Sequence, residues 1–269
     1  MSTNNFVAQI NGSPATAGML APLAFAGYAH FTAMQVRGGR LRGLDLHLER
    51  LRNASQTLYG KSLSDDRLRE LLRAAIAAGP EDISLTATVY SPEGEFTPAP
   101  ENAEPLVLIR TAPPASGPEG PLRLLPVEHE RMLPAFKHVG EIAKTYLFRE
   151  AIRQGFDDAA FLDRTGRLSE ASIWNLAFWD GEAVVWPEAD MLTGTSMGIV
   201  RRQLSKSGFA QRTAPVTRAD LSRFAGAAVM NSWTPGIAVT AIGDAVLPAA
   251  PEFQALLHRA YQAEPLTRP

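Results

Sequence analysis

Two lysines, a glutamate, an arginine and one glycine turn are the residues of this chain whose types and spacing offer chemistry. Lys137 and Lys144 each carry an amine able to attack a carbonyl carbon. On helical spacing over Glu141–Gln154, Lys144 falls among Ala143, Leu147, Phe148, Ala151 and Ile152, so periodicity makes it the more buried lysine. From the first turn, its stem covers apolar surface while the ammonium reaches solvent. Glu170 precedes the apolar and aromatic run Ile173–Phe178, which leads into a core where a carboxylate needs a partner. Arg50 flanks the apolar stripe of a helix, where a guanidinium fork can clasp an anion or simply stay solvated. His47 lies within that stripe and reads as a hydrogen-bonded core histidine. Thr195 and Ser196 follow Gly194 where a turn feeds a helix, so they can meet an anion at the positive helix end or act as caps. Thr234 sits in a later loop. Trp174 and Trp233 suit a pocket wall or a core equally.

No self-sufficient motif accompanies these residues. The chain lacks GxGxxG, a phosphate loop, HExxH and GxSxG. Its five histidines show no metal-ligand spacing, so no metal is expected. There are no cysteines, which removes disulfides, thiolate metal sites and cysteine nucleophiles together. Charges are interspersed, with a net charge of −2 and no basic face, so nucleic acid is not an expected partner. The first 36 residues carry no Lys, Arg, Asp or Glu, and Ala17–Ala29 is apolar. That stretch lacks the basic start of a signal peptide and is interrupted by Pro22 and Gly27. No apolar run approaches the ~20 residues of a membrane-spanning helix. The reading is a soluble, cytoplasmic protein acting on small molecules.

The elements that must position these residues are mixed. Strands are expected at Phe6–Ile10, Phe31–Val36, Ile83–Tyr90 and Pro105–Arg110. Asn11–Gly12 suits a tight turn. A helix with Asp45 as its expected N-cap carries the stripe Leu44, Leu48, Leu51, Ala54 and Leu58, and another covers Asp65–Ala78. Thr111–Gly120, with three prolines and two glycines, is the best boundary. Beyond it come strands at Leu122–Val127, Ala159–Leu162, Asn175–Trp179, Ala183–Trp186, Ala227–Met230 and Ile237–Ala241. Helices are expected over Glu141–Gln154, Met197–Lys206 and from Pro251. Without steady βαβ alternation, the fold class is α+β. The expected division is a smaller domain over 1–112, a linker over 113–120 and a larger domain over 121–269.

Five segments gain meaning from their order. They are His47–Leu48–Glu49–Arg50–Leu51, Gly155–Phe156–Asp157–Asp158–Ala159, Leu168–Ser169–Glu170–Ala171–Ser172–Ile173–Trp174–Asn175–Leu176, Leu192–Thr193–Gly194–Thr195–Ser196, and Asn231–Ser232–Trp233–Thr234. In sequence they resemble the His-x-x-Arg-Leu, Gly-x-x-Glu-Ala, Ser-Glu-x-x-x-x-Asn, Leu-Pro-Gly-Ile-Thr and late phosphate-side turns of the class IV aminotransferases. That group includes branched-chain and D-amino-acid aminotransferases and aminodeoxychorismate lyases. The resemblance covers most of the chain.

The resemblance implies a two-domain, D-amino-acid aminotransferase-like fold and pyridoxal 5′-phosphate as cofactor. It favours Lys137 as the covalent carrier, because the group's lysine precedes the helix and stands 18 residues before the glycine found here as Gly155. Glu170 is then the partner of the ring nitrogen, with Arg50, Thr195, Ser196 and Thr234 on the phosphate. Phe31, Trp174 and Trp233 are candidates for the substrate pocket. A homodimer is implied, as are an amino donor and a 2-oxo acid acceptor. Lys137–His138 also resembles the Lys-His pair of the lyases.

Departures from the pattern bear on specificity. The Asp-x-Gly…Gly-Asp-x-x-Phe-Glu approach of many members is replaced by Phe25–Ala26–Gly27–Tyr28–Ala29–His30–Phe31–Thr32, and the arginine after Gly-Ile-Thr by Met197. Ile83–Tyr90 lacks the carboxylate-binding arginine of D-amino-acid aminotransferases, so the amides of Ser232–Thr234 are the alternative carboxylate holders. Three readings follow: an aminotransferase, an aminodeoxychorismate lyase releasing pyruvate, and a non-catalytic binding relative.

Overall fold

Ile83–Tyr90 alternates buried and half-buried side chains along most of its length, the period of a strand with one face on a core. Around it the computed structural model, which describes residues 6–25, 27–93, 96 and 104–269, builds an antiparallel sheet. Its order is Ser13–Pro14, Ala8–Ile10, Leu106–Ala112, Ile83–Tyr90 and Ala29–Val36. The chain divides into two compact units. One comprises Met1–Ala115, Phe136–Glu141 and Leu266–Pro269, and the other Ser116–Ala135 and Ile142–Pro265.

In the first unit, helix α1 spans Ala17–Phe25, α2 Leu44–Tyr59 and α3 Asp65–Ala77. Leu44, Leu48 and Leu51 of α2 and Leu68, Leu71 and Leu72 of α3 bury against Met34, Val36, Leu85 and Ile109 of the sheet. Each such leucine contributes roughly 1.5–3 kcal/mol by leaving water. The expected N-cap Asp45 lies instead in the first turn of α2, where its charge suits the positive helix end. The N-cap is Gly43, at a φ of 65° that a residue with a side chain rarely adopts. Helix α1 was not expected, because Pro22 sits inside it. Met19, Leu20 and Leu23 pack on Ile10, Tyr90 and Leu108, and this burial outweighs the proline. Ala26, in the Phe25–Thr32 stretch, lies outside the described residues.

The second unit is built on a larger sheet. Its path runs Gln211–Ala214, Val184–Pro187, Asn175–Trp179, Gly226–Met230, Ile237–Ile242, Leu122–Glu128, Asp158–Leu162 and Leu168–Ala171. Glu170 then pairs with Asn175, so six of these strands close on themselves. Leu124, Ala160, Leu168, Leu176, Phe178, Val229 and Val239 share one core. Helix α4 spans Ile142–Arg153, α5 Thr195–Lys206 and α6 Pro251–Gln262. The architecture is α+β. Gln211–Ala214 and the 3-10 helix Arg218–Arg223 were not expected, being short and polar, without a hydrophobic period. Among the described residues no helix is long and apolar enough to cross a membrane.

Two histidines fasten α2 to the strand Ala29–Val36. His47 Nδ1 lies 2.7 Å from Thr32 Oγ1, and His30 Nε2 lies 2.9 Å from Ser55 Oγ. Burial pushes His30 down to about 4. Burial, with the Arg50 charge, pushes His47 to about 3. The unfolded chain therefore binds more protons than the folded one from about pH 6.5 downward, and stability falls with pH at about 1.4 kcal/mol per unit for each histidine. Between pH 6.5 and 5 the pair should lose roughly 3 kcal/mol, read as a drop in urea midpoint. A His30→Asn/His47→Gln variant should lack most of that drop. The same drop in the variant would contradict the assignment.

Candidate active site

Backbone pairing places Lys137. Phe31 N donates to Lys137 O at 2.7 Å and Val139 N to Ala29 O at 2.9 Å, with His30 opposite His138. This short segment therefore extends the edge of strand Ala29–Val36. The two-residue period puts Phe31 and Ala33 on one face of that strand and Thr32 and Met34 on the other. Half-buried, Lys137 holds its amine 4.9 Å from the centre of the Phe31 ring, a cation–π contact. Arg50 is half-buried on α2, one turn after His47. His47 is the core histidine that its place in the stripe indicated.

Glu170 lies where the six strands close. Ser169–Ala171 is buried throughout, and the turn back to Asn175 is held by Ala171 N donating to Trp174 O at 2.8 Å. The Glu170 carboxylate is 4% exposed and meets two cations at the same oxygen. Lys144 Nζ donates to Oε1 at 3.0 Å, and Arg131 lies 3.5 Å from it. The ammonium of Lys144 therefore does not reach solvent as its first-turn position suggested. It turns inward to the carboxylate, 5.6 Å from the Phe161 ring centre. Only part of the expected apolar face of α4 is inside: Ala151 is buried, whereas Phe148 and Ile152 are exposed.

Asn175, at the other end of the same turn, shapes the approach to α5. Its Nδ2 donates to Leu192 O at 2.6 Å and its Oδ1 accepts from Gly194 N at 3.0 Å. A Cβ on Gly194 would lie 2.1 Å from that oxygen, so only glycine fits. Gly194 is the N-cap and makes no side-chain bond to the helix end, which leaves the first amides of α5 open. Thr195 and Ser196 are thus the first two residues of the helix and do not cap it. Thr195 is 7% exposed, yet its Oγ1 has no hydrogen-bond partner among the described residues. Ser196 Oγ donates to Asn231 O at 2.7 Å and so ties this end to the late turn. In that turn Thr234 is buried, its Oγ1 accepting from Gly236 N. An open helix end with an orphaned buried hydroxyl matches a phosphate, and a buried carboxylate matches a ring nitrogen. The donor set fits pyridoxal phosphate.

Trp174 and Trp233 meet edge to face, with ring centres 5.9 Å apart. The Trp174 Nε1–H donates to Asp158 Oδ2 at 2.8 Å, a carboxyl that burial raises above its ordinary range against the lowering effect of its hydrogen bonds. Both tryptophans line a cavity of about 510 Å³ with Phe148, Ile152, Lys144 and Asp158.

In the second unit, the structure brings together Glu170, Lys144 and Arg131, then Thr195, Ser196 and the late turn, and then the two tryptophans. In the first unit it joins Lys137 to Phe31. Arg131 was missed, because it stands 39 residues before Glu170 in a segment without periodicity. The anchoring role of Asn175 was legible only as part of a pattern.

The family model described as "Amino-transferase class IV" matches residues 29–242. No curated protein sequence matches the chain. Among solved structures, the branched-chain aminotransferase of Thermoproteus uzoniensis with norvaline superposes with a TM-score of 0.84, at 18% identity, covering 98% of this chain and 99% of its own. The 4-amino-4-deoxychorismate lyase of Pseudomonas aeruginosa gives 0.81 at 22% identity, covering 96% and 99%. The Escherichia coli branched-chain amino acid aminotransferase gives 0.82 at 17%, covering 97% and 95%. At such identities these likenesses establish the fold.

Proposed function

Because the chain belongs to the class IV aminotransferase family, an enzyme family that uses pyridoxal phosphate, we propose that it transfers an amino group between an amino acid or amine and a 2-oxo acid. The bound cofactor supplies an electron sink for the pair left when the substrate Cα loses its proton. Lys137 carries the cofactor and moves the proton at Cα. Glu170 would partner the ring nitrogen. Arg50, Thr195, Ser196 and Thr234 hold the phosphate, and Phe31, Trp174 and Trp233 meet the substrate.

The two lysines cannot exchange roles on this reading. The carbon that takes the lysine and the ring nitrogen lie at opposite ends of the cofactor ring. Lys144, 3.0 Å from Glu170, would have to abandon that pair to serve as carrier.

The observation that favours transfer over elimination is the face of strand Ala29–Val36 that carries Phe31, beside Lys137. The related lyases have a Phe-Thr-Thr-Ala strand, whereas here it reads Phe31–Thr32–Ala33–Met34. The retained Thr32 turns to the core and binds His47, and the position on Phe31's face is Ala33, without a hydroxyl. Ala33 therefore offers no hydroxyl where the related lyases carry their second threonine. Lys137–His138 is the observation favouring the lyase reading. His138 is buried, and its Nε2 lies 3.7 Å from Glu141.

Incubating the loaded enzyme with L-amino acids, D-amino acids and simple amines, without oxo acid, should build up the pyridoxamine form of the cofactor. A 2-oxo acid should then reverse it. Failure with the whole panel, together with pyruvate release from aminodeoxychorismate, would overturn transamination in favour of the lyase.

The protein is further proposed to be a homodimer. Helix α4 exposes Ile142, Tyr146 and Ile152, at 87%, 61% and 49%, and Ile173 is 45% exposed. Such apolar exposure is uncommon on a monomer. Sedimentation equilibrium should give twice the 29.1 kDa chain mass. A single-chain mass at micromolar concentration would contradict it.

A further inference from the structure

We propose that Lys144 is a resident countercharge for Glu170, a positioning residue that engages this carboxylate before the cofactor arrives and thereby weakens cofactor binding. The proposal rests on the reading of Glu170 as the ring-nitrogen partner. It concerns a residue that the transfer reaction itself leaves without a task.

Glu170 is buried, and a buried carboxylate stays charged only beside compensating charge or donors. Arg131 alone would supply this at 3.5 Å, whereas Lys144 supplies it at hydrogen-bond distance. Both side chains are themselves inside, at 3% and 9% exposure. Two buried cations therefore share one carboxylate oxygen. Asp157 and Asp158 line the same cavity as Lys144. Asp158 is already engaged by Trp174 and the backbone of Ala159.

The consequence for binding follows from comparing the two states. In the cofactor-free protein, Glu170 depends on Lys144 and Arg131. With the cofactor bound, a protonated ring nitrogen beside Glu170 would supply countercharge too, and Lys144 would repel it as a like charge. Removing the Lys144 charge should therefore cost the free protein more than the loaded one. By linkage, the cofactor must then bind more tightly. A merely structural lysine would cost both states equally and leave affinity unmoved.

The test uses Lys144→Met, with Lys144→Gln as a second charge-neutral variant if the first fails to fold, Lys144→Arg, Glu170→Gln and the Lys144→Met/Glu170→Gln double variant. Three quantities are read: the urea midpoint of the cofactor-free protein, the dissociation constant of pyridoxal phosphate, and the 15N signal of ring-labelled cofactor at mildly alkaline pH. Lys144→Met should lower the cofactor-free midpoint, tighten binding about tenfold and raise the protonated fraction of the ring nitrogen. Lys144→Arg should behave as the parent. The double variant should bind no more tightly than Glu170→Gln, because the effect passes through the carboxylate. Unchanged or weaker binding in the charge-neutral Lys144 variants, while Glu170→Gln still shifts the ring-nitrogen signal, overturns the proposal and leaves the role of Glu170 standing. An unshifted signal in Glu170→Gln removes the role of Glu170, and the proposal with it.

Discussion

A carboxylate cannot be carried into a protein core without partners, and the second unit is arranged around one that is. Glu170 sits where six strands close, paired across the ladder with Asn175 and held at one oxygen by Lys144 and Arg131. The same closure sets Asn175 against Gly194 and so fixes where α5 begins. Barrel closure, buried charge and open helix end are therefore one constraint. Displacing Asn175 would disturb both the carboxylate and the phosphate-type cup.

The first unit has a simpler logic. Its strand Ala29–Val36 uses one face for the core, where His30 and His47 are held neutral, and the other for Phe31. Lys137 joins that strand's edge through backbone bonds, so its position is set by the sheet and not by its own side-chain preferences.

Much of this was legible in the sequence where one period dominates. The stripe of α2 and the alternation of Ile83–Tyr90 gave their elements to within a few residues. His47 could be read as a core histidine because the stripe named its face. Lys144 shows where periodicity stops. The wheel placed it inward, but only the fold could show that Glu170, 26 residues later, meets its ammonium. Arg131 had no signal, since an ion pair between a loop and a distant strand leaves no local trace. The start of α5 was misread by two residues because the determining contact comes from Asn175, far back in the chain. Helix α1 was hidden by Pro22, whose cost is offset by burial that a local pattern cannot register.

The proposed chemistry depends on a division of labour between two lysines seven residues apart. The most direct test is borohydride reduction of the enzyme loaded with pyridoxal phosphate, followed by peptide mapping. The account predicts the pyridoxyl label on Lys137, and a Lys144→Arg variant labelled to the same extent. Label on Lys144, or undiminished labelling of a Lys137→Ala variant, would contradict it.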